Sequence, residues 1–444
     1  MYFPHTTLFD PPAPVAAPAP DQDQLTSAIK IARVICIMGV VYVHAWTGLV
    51  GHNLTDLDHS VQGMLRWTLM ELFGHSAVPL LSIISGWLVA GSLRKRTWRQ
   101  FLLNKMRTIL APMLLWNALA ILFVSSAAWL GWIEAPMPTT LRWTVDELFC
   151  LWTPDDINVQ MPFLRDLFVC MLAAPLIVRM PSRVLAMLSL AGFGLTVAGY
   201  PVFILLRPSI LSFFAIGIIA RRMGAHRKVA AWPIALSALP YAAMAALNIW
   251  LQATGSIADS SQLASALDLA TRATAALFYW AVAWRLAASR LSAPLLRIEP
   301  YAFLMFCSHL IMIWLLGPLI GRVTGPLGSP LYPAFLLLQP ILVMLAAIGL
   351  GRAIRLCSPP AAKILSGGRL APSREKGGAF SAAGGNVLLR PIPAAARGSA
   401  NPIMLRPELS RKALRGSWSW LSSSADRHRA DRTSSPRHGW RRDR

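Results

Sequence analysis

Charge is scarce in this chain. Asp, Glu, Lys and Arg make up 14% of its 444 residues, against 55% hydrophobic residues and a mean hydropathy of +0.50. Soluble globular domains carry about 25% charged residues, so the composition excludes that class and points to a polytopic membrane protein. Acidic residues are scarcer still, 20 against 42 basic ones, for a net charge of +22. That excess does not indicate a nucleic-acid partner, because +12 of it sits in residues 363–444, beyond the apolar part of the chain. Cysteine is also sparse. Cys36, Cys150, Cys170, Cys307 and Cys357 are scattered with no CxxC spacing, which argues against a disulfide framework and leaves no metal site and no bound cofactor to expect.

Long apolar runs are what the chain has in abundance. About ten are long enough, or nearly so, to cross about 30 Å of hydrocarbon at roughly 20 residues each: 29–50, 71–92, 103–126, 162–178, 184–200, 205–221, 230–252, 270–289, 300–320 and 331–352. The fourth to sixth are short and interrupted by Gly or Pro. The predicted fold is therefore all-α, a transmembrane bundle over residues 29–355. Residues 1–28, rich in Pro and Ala, read as a disordered cytoplasmic lead and not a signal peptide. Residues 356–444 lose all periodicity and read as a disordered basic tail.

Loop charge predicts the orientation. Residues 94–107 carry Arg94, Lys95, Arg96, Arg99, Lys105 and Arg107 without an acid, and the links at 179–183, 221–228 and 285–297 are basic too. The alternate links at 51–66, 131–161 and 253–269 hold nine of the twelve acids in residues 29–355. Excess Lys and Arg mark cytoplasmic loops, so both termini are expected in the cytoplasm of a cell whose plasma (inner) membrane holds the bundle. The acidic loops are then expected to face out.

Polar residues inside the runs are the candidates for chemistry, because ionisable groups in a span are costly and usually face the bundle interior. In the first run Arg33 and His44 stand eleven positions apart, close to three helical turns, so both project from one face about 16 Å apart along the axis. Histidine suits general-base work on a hydroxyl, and arginine's fork of donors suits the phosphates of a nucleotide-bearing donor. The competing reading makes Arg33 and His44 markers of the two interfaces. The second run begins near His75 and carries Ser85-Gly86, read either as site support or as close helix packing. Arg96, Arg99, Lys105 and Arg107 form a mouth that draws in a polyanion, or an orientation signal alone. Arg165-Asp166 is a rim of an acceptor site or an anchor, and His309 a working or a packing residue.

These residues carry a resemblance. The Arg33-x10-His44 pair, Ser85-Gly86-Trp87-Leu88, Lys105-Met-Arg107 with Pro112, Phe163-Leu-Arg-Asp-Leu-Phe168 and Phe303 through Ser308-His309 resemble the integral-membrane acyltransferase 3 family over roughly residues 25–355. The resemblance implies a bundle of about ten helices that moves acyl groups, commonly acetyl from acetyl-CoA as co-substrate, onto hydroxyls of extracytoplasmic glycans or lipids such as an exopolysaccharide. It implies that Arg33 and His44 are catalytic and that the basic mouth binds the donor. His75, Ser85, Arg165, Asp166 and His309 are then supporting or acceptor-side residues. The chain departs from the family at its Arg-x-x-Arg pair, for which the nearest counterparts are Lys105-x-Arg107 and Arg96-x-x-Arg99. No hydrolase-like Ser/Asp/His signature follows the bundle, so chemistry is expected within it. A transporter or flippase for a lipid-linked glycan is the alternative class, although paired broken helices and internal repeats, common in transporters, are not visible.

Overall fold

A membrane interior forces each segment to satisfy its own backbone hydrogen bonds, and that requirement overrides intrinsic propensity along much of this chain. The run Val34-Ile-Cys-Ile-Met-Gly-Val-Val41 is full of β-branched residues that disfavour helix in water, yet it lies within α1 (Gln22–Val43). The computed structural model describes residues 22–44, 60–74, 77–93, 97–152, 157–200, 202, 204–254, 261–326 and 328–370, all within one compact unit spanning residues 1–384. Among these residues there is no strand. The helices after α1 are α2 (Val61–Leu69), α3 (Ala77–Ser92), α4 (Trp98–Lys105), α5 (Ala111–Trp129), α6 (Leu141–Phe149), α7 (Met161–Ile177), α8 (Ser182–Val197) and α9 (Pro208–Arg222). They are followed by α10 (Ala225–Ala231), α11 (Ile234–Ala253), α12 (Gln262–Ala287), α13 (Ser292–Thr324), α14 (Tyr332–Cys357) and α15 (Pro359–Leu365).

α1 is the central helix, packed against α3, α12, α13 and α14. Its residues Ala28, Ile31, Ala32, Val34 and Val41 are wholly buried. The tightest neighbour contact joins α3 to α9 through a reciprocal pair of glycines. A Cβ on Gly86 would overlap the carbonyl of Phe214, and one on Gly217 would overlap the carbonyl of Ile83, so this crossing needs small residues, as membrane helix contacts commonly do. Two π-helical segments, Met70–Gly74 and Met106–Leu110, lead into α3 and α5. In the first, Tyr241 and Tyr279 both donate their hydroxyl protons to the Leu72 carbonyl, the latter at 3.0 Å.

Six helical segments among the described residues are long and apolar enough to cross a membrane, or seven if the pair α9 and α10, bent by 84°, counts as one. About ten were expected from the sequence. The shortfall comes from α7, α8 and α9, which have 17, 16 and 15 residues, below the roughly 20 that a straight span needs. α12 has the length but carries Asp268, Arg272 and Arg285.

Two expected boundaries move. The helix begins at Gln22, inside the segment read as lead, because α1 packs on its neighbours from Leu25 onward. At the other end ordered structure runs on past residue 356. Ser358 caps α15, Ala362, Ser366 and Leu370 are buried, and Trp116 Nε1 donates to the Leu365 carbonyl at 3.0 Å. The Pro, Ala and Ser composition of this stretch read as coil, while a few spaced apolar residues suffice to dock it. The expected lead over 1–21 and tail over 371–444 lie outside the described residues.

The described residues of the acidic link, 131–152 and 157–161, also fold. Asp146 Oδ1 accepts from the amides of Leu151 and Trp152 at 2.9 and 2.7 Å, and Glu147 Oε1 from Ile157 N at 2.7 Å. Buried Asn117 joins it from α5, with Nδ2 donating to the Glu147 carbonyl and Oδ1 accepting from Asn158 Nδ2, both at 3.0 Å. These acids secure the link's own backbone.

Candidate active site

A stripe on α1 builds the site. Arg33, Ile37, Val40 and His44 recur at intervals of four, three and four, one face of a helix. Arg33 and Ile37 line one cavity while Val40 and His44 line another. The shared face expected for Arg33 and His44 is therefore present, and it looks into two spaces at two depths.

The Arg33 cavity holds about 130 Å³. Arg33 Nη1 lies 3.7 Å from Glu299 Oε1 on α13. Ser85 and Leu88 of α3 line it, along with Lys105 at the end of α4, Phe303 of α13 and Arg369 from the turn after α15. The Arg369 guanidinium stacks 3.9 Å over the Phe303 ring, and its Nη1 donates to the Ser366 carbonyl at 3.2 Å. Burial, and then the neighbouring Arg33, bring the Arg369 pKa down to about 10, so it stays charged at neutral pH. Three cations and one carboxylate thus converge on a chamber otherwise lined by apolar side chains and the hydroxyls of Ser85 and Thr108, a composition that suits phosphate oxygens.

The His44 cavity is larger, about 730 Å³, and of mixed polarity. His44 follows the last residue of α1, buried, and its ring centroid is 5.4 Å from that of His309 on α13. His309 Nδ1 donates to the Phe306 and Met305 carbonyls at 2.8 and 3.2 Å. That fixes its proton on Nδ1 and leaves Nε2 to accept. Nε2 is buried with no hydrogen-bond partner among the described residues, and so is Gln160 Oε1. Gln160, Thr196, Tyr200, Arg207 and Ser209 line the cavity together with Asp268 and Arg272. In that last pair, one turn apart on α12, Arg272 Nε reaches both carboxylate oxygens at 2.8 and 2.7 Å.

The structure sorts the remaining candidates. Ser85, expected as a supporting or acceptor-side residue or as a packing residue, lines the Arg33 cavity, and its hydroxyl donates to the Leu81 carbonyl at 2.7 Å. Lys105 lines that cavity, whereas Arg99 and Arg107 are exposed and line neither. Asp166 is fully buried and accepts from Arg165 Nη1 at 2.6 Å and from the amides of Arg207 and Leu206 at 2.8 and 3.2 Å. It holds the start of α9, so the anchor reading describes its contacts. His75 and Arg96 lie outside the described residues. Glu299, Arg369, Gln160, Arg207 and Arg272 were not singled out from sequence. Only Glu299 left a trace there, as the single acid between Asp268 and Glu375.

Residues 26–351 match the acyltransferase domain family. The succinoglycan biosynthesis protein ExoH of Rhizobium meliloti (strain 1021) is similar to this chain, 28% identical over 374 residues that cover 79% of this chain and 94% of that protein. No solved structure matches. The family match takes in Arg33, His44, Glu299 and His309 and stops short of Arg369. With most of its length matched and both cavities built largely from the matched part, the chain belongs to the acyltransferase domain family.

Proposed function

We propose that this protein moves an acyl group, acetyl in the simplest case, from a cytoplasmic acyl-CoA to a hydroxyl of an extracytoplasmic or lipid-linked glycan such as an exopolysaccharide. On this reading it sits in a bacterial inner membrane with the Arg33 cavity towards the cytoplasm. The observation that carries it is the α1 stripe, which ties a cationic chamber and a histidine chamber to one helix of an acyltransferase-family chain. The succinoglycan biosynthesis role in the relative's name supports a polysaccharide acceptor.

The chemistry follows from the groups in place. Arg33, Lys105 and Arg369 hold donor phosphates, with Glu299 fixing the Arg33 fork. His44 takes the proton of the acceptor hydroxyl as its oxygen attacks the thioester carbonyl. The carbon–sulfur bond breaks, the new ester forms, and the thiolate leaving group takes up a proton to depart as a thiol. His309 Nε2, beside His44, gives the imidazole pair a second site for that proton.

A positioned general base contributes about 10²–10⁴-fold to rate. His44→Ala should accordingly abolish measurable acylation while the protein accumulates normally. The measurement is acyl groups per repeat unit on exported glycan, by mass spectrometry, with protein level checked by immunoblot. Unchanged acyl content at normal expression overturns the assignment of His44. Lost export with normal acyl content on whatever is exported would instead support a transporter.

A further inference from the structure

Among the described residues, two side chains line both cavities: Phe163 of α7 and Phe306 of α13. Both are buried, and their rings meet edge to face with centroids 5.9 Å apart at 66°. Four helices place the division at one level. On α1 it falls between Ile37 and Val40, on α3 between Leu81 and Val78, at the start of α7 between Leu164 and Gln160, the residue just before the helix, and on α13 between Phe303 and Phe306. In each pair the first residue lines the Arg33 cavity, and the second lines the His44 cavity.

The backbone under this ring pair is held from the His44 side. The Phe306 carbonyl accepts from His309 Nδ1 at 2.8 Å and from Gln160 Nε2 at 3.4 Å. Phe163 stands in the first turn of α7, just after Pro162. Apart from these two rings, the walls nearest the division are apolar side chains, Phe303 among them, and Gln160. A charged species therefore meets no charged side chain among these walls.

We propose that Phe163 and Phe306 form a closed aromatic partition between the cavities and that their rings set the size of the acyl group that passes. The second clause rests on the acyl-transfer reading above, and the first stands without it. In the resting state water and ions are excluded at this level. A short acyl group enters by displacing one ring, while a longer chain is stopped in the Arg33 cavity.

The test places a cysteine on the far side of the partition. Ser85→Cys puts a thiol in the Arg33 cavity, and a small anionic, membrane-impermeant methanethiosulfonate is applied to membranes from the His44 side. Labelling of the introduced thiol is read by peptide mass spectrometry, with the four buried native cysteines as internal blanks. With the native rings, labelling should stay below about one-tenth of that in detergent-opened protein. With Phe163→Ala and Phe306→Ala together it should rise at least tenfold, while reagent from the Arg33 side labels both backgrounds alike. Equal labelling from the His44 side with and without the rings overturns the partition. Should the double alanine variant fail to accumulate, Phe163→Leu with Phe306→Leu keeps the core apolar and should give a smaller rise in the same direction; no rise there overturns the proposal as well. The second arm compares acetyl with butyryl donors. Phe163→Ala should raise the butyryl-to-acetyl transfer ratio at least tenfold, and an unchanged ratio removes the size-setting role. A protein whose partition behaves as described but that transfers neither group points instead to failure of the acyl-transfer reading.

Discussion

The two cavities along α1 differ in nearly every respect except the helix they share. The Arg33 cavity is small, and its polar groups are two guanidiniums, an ammonium, one carboxylate and the hydroxyls of Ser85 and Thr108. The His44 cavity is several times larger, and its central groups are two imidazoles and a carboxamide, of which His309 Nε2 and Gln160 Oε1 have no hydrogen-bond partner among the described residues. On the acyl-transfer reading proposed above, one span serves donor binding and proton transfer because its stripe crosses the level of the Phe163 and Phe306 rings, which line both cavities.

The sharpest way to break this comparison is to cut the chain at the Arg33 end alone. Truncation after Cys357 removes α15 and Arg369 and leaves Trp116 Nε1 without its acceptor. Losing a charged contact costs about 1.5–3 kcal/mol and an orphaned buried donor about 1–3 kcal/mol, so activity in membranes should fall by roughly a hundredfold or more. Truncation after Leu370 retains all of these contacts and should stay near the parent. Equal activity of the two truncations, measured at matched protein level, would show that the Arg33 cavity needs neither.

A gentler probe keeps the charge and removes the geometry. Arg33→Lys loses the planar fork that faces Glu299, and Arg and Lys are not interchangeable where two donors are presented together. The apparent donor KM should rise about tenfold, close to 1.4 kcal/mol, with little change in acceptor KM. A selective rise in acceptor KM would mean that the division of labour between the cavities is drawn wrongly. The smallest effect is expected at Arg99, exposed on α4 and outside both cavities. Arg99→Ala should change donor KM less than about twofold, since isolated surface charges contribute little. A larger loss would extend the donor site onto the α4 surface.

What the sequence determined by itself is everything that depends on local pattern. Apolar run length specified an all-helical membrane protein, because a segment in lipid must close its own hydrogen bonds. The eleven-residue spacing put Arg33 and His44 on one face, because helical periodicity is a property of the chain alone. Family membership was legible from short motifs for the same reason. Only the tertiary structure decided which partners those residues meet. Glu299 stands 266 positions from Arg33 and Arg369 stands 336 positions away, and no periodicity links residues so far apart. Arg369 was hidden further by lying in a stretch whose composition reads as coil. The pairing of His44 with His309 depends on how α13 packs on α1, and the place of Ser85 on the Arg33 side depends on the glycine crossing of α3 with α9. Asp146 and Glu147 of the 131–161 link were legible as charge, but their work of holding backbone amides emerges only from the folded structure. Local periodicity selects a residue's face, whereas long-range packing selects what that face meets, and the site is made of such meetings.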